Sequence, residues 1–510
     1  MTSRRALSLS VVADLDVARG TSPQVVPSLQ KLPERAVQFG TGAFLRGFVD
    51  VFIDQANRRG QFLGRLVAVG STGSGRDRAF GDQDGLYTLI VAGVRDGMVV
   101  NERRIIQSVS RAVSASSHWG KVLEIARDSE VRVVFSNTTE AGIALDERDR
   151  DVDALPNSYP AKLARFLLER AITFAYAPSA GVVVLPCELI EDNGTKLEAL
   201  VREQATRWQL GEMFDAWLSS AVRFCNTLVD RIVPGTPDPA EHARISSELG
   251  YDDALLTVAE PYALFAIEGD SALAERLGFV DPDGVIRIVP DIRPYRERKV
   301  RLLNGTHTAM AALGLLSGMS TVFEAMNSPA LAPLLQQLAR QDIAPMLDVP
   351  EAAAFAETVL QRFANPEVRH RLTDIASQGT LKWKVRLLPM LRRHAEASNV
   401  LPASLVLALA AQLYLSHPAE RSRRAAVGVA AFTDDNGELV YTHWLSRGAA
   451  GPDVRRTNVS AFVDSVLGDR LLWDTDLRDI ERLASCLTES LQRLLTNGAQ
   501  ALLSPATVTL

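Results

Sequence analysis

The first half of the chain alternates between two hydrophobic rhythms. Short apolar runs at 35–39, 65–69, 86–91, 131–135 and 181–185 predict strands. Most are too continuously apolar for one wet face, as in strands buried on both sides. Segments 43–59, 119–127, 160–174 and 194–209 carry apolar residues at helical spacing. The first of these places Phe44, Phe48, Val51 and Phe52 on one face and stops at Gly60. Strand–helix alternation of this kind predicts an α/β fold, a parallel sheet covered by helices on both faces. Beyond about residue 240 the strand-like runs nearly vanish. Stretches rich in Ala, Leu and Arg at 293–316, 330–347, 352–363, 404–415 and 476–495 predict a mainly α-helical second half. Gly235-Thr-Pro-Asp-Pro239 reads as linker punctuation, and 421–453, with Asp434-Asp-Asn-Gly437, as a loop-rich insertion.

Composition narrows the classes. At 510 residues, 47% hydrophobic and 23% charged, the chain is neither disordered nor a coiled coil. Single cores rarely grow past about 250–300 residues, so two domains are expected. The net charge of −6 argues against a general nucleic-acid binder. The three cysteines, Cys187, Cys225 and Cys486, are far apart and form no C-x-x-C pair, which fits a reducing, cytoplasmic compartment. Arg4-Arg5 ahead of an apolar stretch has the look of an export signal, but Asp14 and Asp16 interrupt it. Residues 1–30 are expected to be a poorly ordered arm. Segment 400–415 contains Pro402, Ser404 and Gln412 and falls short of the ~20 residues a membrane span needs, so it predicts a buried helix.

The first chemistry-bearing passage is strand, Gly40-Thr41-Gly42, helix. One glycine permits a tight turn, and another lets backbone N–H groups of Gly42, Ala43 and Phe44 approach a pyrophosphate. Leu45 stands where a third glycine is usual, so the motif alone leaves a plain strand–turn–helix corner open. The second strand ends in Gly70-Ser-Thr-Gly-Ser-Gly-Arg76 without the acid that selects NAD. Ser71, Thr72 and Arg76 suit a 2′-phosphate equally, so the residues admit NADP beside NAD. The same stretch approaches a P-loop, but Arg76 and Asp77 replace the lysine and hydroxyl, which argues against nucleotide hydrolysis.

The second passage is Lys299-Val-Arg-Leu-Leu-Asn304-Gly-Thr-His307. A reductase needs a proton donor at a carbonyl oxygen that gathers charge as hydride arrives. A lysine among other cations, here Arg296, Arg298 and Arg301, suits that role. An asparagine N–H₂ can hydrogen-bond the same oxygen. Lys299 and His307 would lie ~12 Å apart along a continuous α-helix. Lys299 is therefore expected at or before the helix start, with Asn304 and His307 in its first turns. A basic helix end with a capping asparagine and a core histidine is the bland reading of the same residues.

The Gly40-x-Gly42-x-Phe44-x-Arg46 start, Gln83-Asp-Gly-Leu-Tyr-Thr88, Thr227-Leu-Val-Asp-Arg-Ile232 and the K-x-x-x-x-N-x-x-H pattern of Lys299, Asn304 and His307 resemble the long-chain polyol dehydrogenases, the mannitol dehydrogenase family. Phe135-Ser-Asn-Thr-Thr-Glu-Ala-Gly142, Ser158-Tyr-Pro-Ala-Lys-Leu163, Leu185-Pro-Cys-Glu-Leu-Ile190, Asp192-Asn-Gly194 and Pro294-Tyr-x-Glu-x-Lys299 are similar to its tagaturonate reductase (altronate oxidoreductase) branch. The resemblance implies an α/β fold with a Rossmann-type, doubly wound N-terminal domain and a mainly α-helical C-terminal domain. The expected division is an arm over 1–30, a dinucleotide-binding domain over 31–245 and a mainly helical substrate and catalytic domain over 246–510. It also implies a metal-independent NAD enzyme, often monomeric, that acts on a small keto-sugar acid. It implies Lys299 as general acid and base, Asn304 polarising the carbonyl and His307 orienting a substrate hydroxyl. It further implies Asp230, Glu188 and Lys382 at the substrate, and Asn137, Thr138 and Glu140 with the cofactor at the end of a sheet strand.

Two departures weaken a mannitol assignment. Leu189 stands where polyol-oxidising relatives carry an asparagine, and Asp374 where they carry an arginine. A uronate needs a cation, for which Lys382, Lys384 and Arg386 are candidates. The expected reaction is reduction of tagaturonate. A fructuronate reductase, a mannitol or ketose dehydrogenase, and a non-catalytic dinucleotide-binding regulator are the alternatives. The other histidines, His118, His242, His370, His394, His417 and His443, read as surface or core residues, and Cys187 and Cys225 as buried structural ones.

Overall fold

The computed structural model describes residues 4–19, 25–71, 75–95, 97–138, 142–279, 284–366, 370–398, 400–449 and 458–498. The chain divides into two compact units, Met1–Ile292 and Arg293–Leu510.

Among the described residues the first unit has twelve strands: β1 (Glu34–Phe39), β2 (Arg65–Gly70), β3 (Tyr87–Arg95), β4 (Met98–Ile106), β5 (Val109–Ser114), β6 (Val133–Ser136), β7 (Val183–Pro186), β8 (Arg223–Phe224), β9 (Thr227–Asp230), β10 (Thr257–Ala259), β11 (Leu264–Glu268) and β12 (Ile286–Val289). Six form a parallel sheet in the order β5-β2-β1-β6-β7-β8. The winding reverses between β1 and β6, as in a Rossmann-type sheet. Alternate residues face opposite cores. Ala36, Leu66, Ala68 and Val133 join one apolar cluster, and Val37, Val67, Val69 and Val134 the other. Both faces are therefore dry, which is why these strands read as continuous apolar runs.

The boundary expected at 245 lies inside the helix Pro239–Leu249; the structure moves it to 292. Strands do not fade after residue 240. β11 pairs with β9 and β12, and its Phe265 and Ile267 enter the same core as β1. These strands lie among the helices Pro239–Leu249, Ser271–Leu277 and Arg293–Arg298, which mask them in the pattern. The supposed linker is also structured. Val258 N–H donates to Gly235 O at 2.9 Å, and Asp238 caps the following helix through Ala240 and Glu241 N–H.

The described part of the N-terminal arm, 4–19 and 25–30, is packed and not loose. A helix spans Leu9–Arg19. Leu7, Val11 and Val12 share an apolar cluster with Leu86, Ile90 and Leu249, and Leu7 N–H donates to Asp252 O at 2.8 Å.

The second unit is helical. The apolar helix Ala403–Leu415 is buried on nearly all sides and packs against Thr306–Leu316 and Leu483–Asn497. The insertion expected as loop carries the helices Pro418–Ala426 and Asp435–Ser446, while 450–453 lie outside the described residues. Asp434 is the N-cap of the second helix, and it also accepts from Thr380 N–H at 3.0 Å and Thr380 Oγ1 at 2.7 Å. Asp-Asp-Asn-Gly is thus a helix start. Among the described residues no helix is long and apolar enough to cross a membrane.

Candidate functional site

In the first unit the candidate residues gather where the winding reverses. Gly40 closes β1 with φ +138°, and a Cβ there would meet Leu45 Cδ1 at 2.9 Å and Asn137 O at 3.1 Å. The corner therefore demands glycine. Gly42 faces open space and begins the short helix Ala43–Arg46 with no side-chain cap, so the first N–H groups have no side-chain partner. Arg46 turns back and donates to Thr41 O at 2.6 Å and Thr257 Oγ1 at 3.0 Å. Its own carbonyl accepts from Tyr87 OH at 2.6 Å. The Gly-x-Gly-x-Phe-x-Arg start is thus a turn held by its own arginine. The Gln83-to-Thr88 motif is a second brace: Gln83 Nε2 and Thr88 N–H both donate to the buried Asp253, at 2.8 Å and 2.5 Å.

Across the reversal, Asn137 Nδ2 donates to Cys187 O at 2.7 Å. Glu188, 3% exposed, accepts from Ser136 Oγ at 3.0 Å and from Thr138 N–H at 2.9 Å. Burial raises its pKa despite those bonds. Asn193 ties Pro186 O to Thr227, accepting from Thr227 N–H at 2.9 Å. The structure thus brings Gly40, Thr41, Gly42, Ala43, Phe44, Asn137 and Thr138 to one end of the sheet. Ser71 follows β2 and is exposed. Glu140 and Thr72 lie outside the described residues. Asp230 ends β9 in register with Leu264 and is 3% exposed. Leu189, by contrast, is exposed. The donor set and the open side of Gly42 fit a pyrophosphate-bearing dinucleotide.

In the second unit Lys299 does not start a helix. It lies within a helical run that begins at Arg293, is π-helical over Lys299–Gly305, and returns to α over Thr306–Leu316. The physical reason the expectation failed is the ladder. On an α-helix residues five apart are turned by about 140°. An i→i+5 ladder sets them one above the other, and Lys299 and Asn304 are five apart. The helix stays continuous and still puts both on one side. Gly305 permits the close neighbour, since a Cβ there would meet Leu387 Cδ2 at 2.9 Å.

His307 follows on the next turn. Its ring lies 4.1 Å from Phe363 and edge-on to His370 at 5.1 Å, and its Nε2 is buried without a partner. Burial, then His370, Arg362, Arg386 and Lys382, hold it well below the usual histidine range, so it is a neutral imidazole. Lys382 Nζ donates to Ile375 O at 2.9 Å, and burial and Arg386 lower its pKa. Arg386 donates to Thr308 Oγ1 at 3.0 Å and to Asn304 O at 3.3 Å. Lys384, the third cation candidate, pairs with Asp474 at 2.9 Å instead. His370, expected to be a bland core or surface residue, belongs to this cluster; nothing in its spacing from His307 signals it. Cys187 and Cys225 are buried, with thiols pushed up by desolvation, Cys225 to about 11. Among the described residues no cluster of His, Cys, Asp and Glu is arranged to hold a metal ion.

Comparison with known proteins accounts for both halves. Residues 34–279 match the mannitol dehydrogenase Rossmann domain, and 291–495 the mannitol dehydrogenase C-terminal domain. The altronate oxidoreductase of Pectobacterium atrosepticum is 41% identical over 476 residues, 92% of this chain and 96% of that protein. That of Bacillus subtilis is 39% identical over 469 residues, 92% and 94% of the two chains. Among solved structures, the Pseudomonas fluorescens mannitol 2-dehydrogenase ternary complex with NAD and D-mannitol is 22% identical, with a TM-score of 0.70 over 98% of each chain. Substrate-free D-sorbitol dehydrogenase is 20% identical, with a TM-score of 0.77 over 98% of this chain and 100% of the other.

Proposed function

The chain belongs to the mannitol dehydrogenase family and is an oxidoreductase acting on CH–OH groups of polyols or sugar acids, and from that premise we propose that it reduces D-tagaturonate to D-altronate with NADH. The observation that carries the choice of a uronate is the setting of His307. Lys382, Arg386 and Arg362 bear on that imidazole, and cations of this kind suit a carboxylate-bearing substrate. The altronate oxidoreductases at 39–41% identity support the same substrate.

A bound nicotinamide supplies the hydride. The first unit's share is binding: the Gly40–Phe44 turn and the strand ends at Asn137 and Thr138 receive the dinucleotide, Ser71 takes the ribose side, and Glu188 holds the β6 end in place. Asp230 is assigned to a substrate hydroxyl. In the second unit Lys299 delivers a proton to the carbonyl oxygen in reduction and removes it in oxidation. Asn304 hydrogen-bonds that oxygen as charge gathers on it. His307, neutral, meets a substrate hydroxyl through Nε2. Lys382 keeps two N–H donors beyond its bond to Ile375 O and receives the carboxylate.

The test is NADH consumption by the purified protein with tagaturonate, fructuronate and fructose in parallel, repeated with NADPH. The proposal expects fast turnover with tagaturonate and NADH. Turnover confined to fructuronate or fructose moves the substrate to a sister reaction, and preference for NADPH overturns the cofactor choice.

A further inference from the structure

The hairpin β3–β4 carries an apparent error in its pattern. In register, Leu89 opposes Arg104 and Val91 opposes Glu102, so these four share one face. Leu89 and Val91 on that face enter the main core of the first unit, with Phe52 and Phe265. Two charged side chains thus stand on the core-facing side of a strand pair.

A cavity of about 490 Å³ explains them. It runs beside the helix Val49–Arg58, with Val51, Phe52 and Val91 as apolar wall and Arg95, Arg104 and Arg231 among its cations. Arg59, Pro261 and Val285 also line it. Its described lining contains four arginines and no carboxylate. Glu102, beside it, pairs with both Arg104 and Arg95 and holds them toward one another. Arg231 is fixed from behind: its Nε and Nη2 donate to Glu260 O at 3.0 and 2.8 Å, and Nη1 to Gly47 O at 2.8 Å. Burial lowers its pKa to about 10, and Arg104 and Arg95 push it the same way, so the three cations feel one another.

Glu102 and Glu260 supply two carboxylates for the three arginines, and neither lines the cavity; a further anion there offsets the cost of gathering the cations against an apolar wall. The volume lies in the range of small-molecule sites, and a bare inorganic ion leaves the apolar wall unused. The cavity extends away from the glycine turn, although Arg231 reaches back to Gly47 O. Gln55 and Arg59 lie at the far end of a helix ten residues, or about 15 Å, long. We propose that this cavity binds a small organic phosphate, its phosphoryl group held by Arg95, Arg104 and Arg231 and its organic part against Phe52 and Val91. Guanidinium forks match phosphate oxygens in pairs, which a lysine cluster does not.

The test is isothermal titration of the full chain with phenyl phosphate, inorganic phosphate and phenol, in wild type, Arg104→Gln and the double variant Arg95→Ala/Arg104→Ala. NADH affinity and turnover in each variant report whether it is folded. The expected result is binding of phenyl phosphate more tightly than inorganic phosphate or phenol. In the double variant that binding weakens by about tenfold or more, with Arg104→Gln between, while NADH affinity stays unchanged. Equal affinity in wild type and variants, no binding of phenyl phosphate at millimolar concentration, or its displacement by NADH would each overturn the proposal. Equal binding of inorganic and phenyl phosphate would remove the organic part from it.

Discussion

The two units hold their candidate residues in opposite ways. In the first, the polar side chains are spent on the fold. Arg46 holds Thr41 O, Asn137 holds Cys187 O, and Glu188 is occupied by Ser136 and Thr138. What remains for a ligand is backbone N–H and open space at Gly42. In the second, the histidine that matters keeps a buried nitrogen without a partner, and cations crowd near it. Binding a pyrophosphate asks for a rigid backbone cradle, so its side chains serve as braces. Proton transfer and carboxylate recognition ask for side-chain groups with unspent hydrogen bonds. On the proposed function, His307 Nε2 is the unspent group at the reacting end.

The sharpest break is Lys299→Ala. It should lower turnover by about 10²–10⁴-fold while NADH affinity, read by fluorescence titration, stays near wild type. Unchanged turnover would take Lys299 out of the mechanism. Gly40→Ala should do the reverse. The side chain meets Asn137 O and Leu45 at a φ that favours glycine, and strain of about 1–3 kcal/mol should weaken NADH binding by roughly tenfold to a hundredfold. Equal NADH affinity would show that the turn does not carry the cofactor.

Lys382→Met should raise KM for tagaturonate by roughly tenfold or more and leave kcat closer to wild type, because a charge-assisted bond contributes about 1.5–3 kcal/mol. The same KM rise with fructose would mean that the lysine shapes the site and does not receive a carboxylate.

The remaining tests concern pH and read stability rather than activity, and they have opposite signs in the two units. Asp50 is fully buried, and desolvation raises its pKa from 3.8 to about 7. The folded state then holds a proton the unfolded state has lost, so its stabilising share is complete below about pH 4 and fades as pH rises through about 7. Asp50→Asn, neutral at every pH, should gain stability over wild type at pH 8, a gain that shrinks toward pH 4. His417 is the converse. Burial lowers its pKa from 6.5 to about 4, and its Nδ1 accepts from Ala419 N–H at 3.2 Å as a helix cap. Its share is present above about pH 6.5 and is lost as pH falls through about 4. His417→Asn keeps a capping side chain and should remove that acid-sensitive part, measured by urea denaturation across the range. A parallel pH slope in variant and wild type would contradict either assignment.

Much of this was legible early, and the misses share a cause. β1, β2 and β6 are plain because runs dry on both faces stand in an alternation of strand-like and helix-like segments. β11 is equally apolar and longer than β6, but it lies among helical segments, and its partner β9 lies more than thirty residues earlier. Asp434 reads as loop in the sequence because aspartate and glycine favour turns; the same residues cap helices, and only Thr380 and Gln412 beneath it settle the choice. The described part of the arm is ordered because Leu7 and Val11 find their partners at Leu86 and Leu249, far along the chain.

By itself the sequence determined the winding of the first sheet, the glycine corner, the helical second half and the spacing of Lys299, Asn304 and His307. Each follows from local sterics, periodicity or adjacency in the chain. Only the tertiary structure decided that 246–292 belongs with the first unit, that Lys299 and Asn304 share a side through a π-helical turn, and that His370 and Arg386 join His307. It also decided that Arg104 faces a cavity. Burial and pairing between residues far apart in sequence settle such questions. Hydrogen bonds and desolvation act on atoms brought together in space, and a one-dimensional pattern carries no record of which ones those will be.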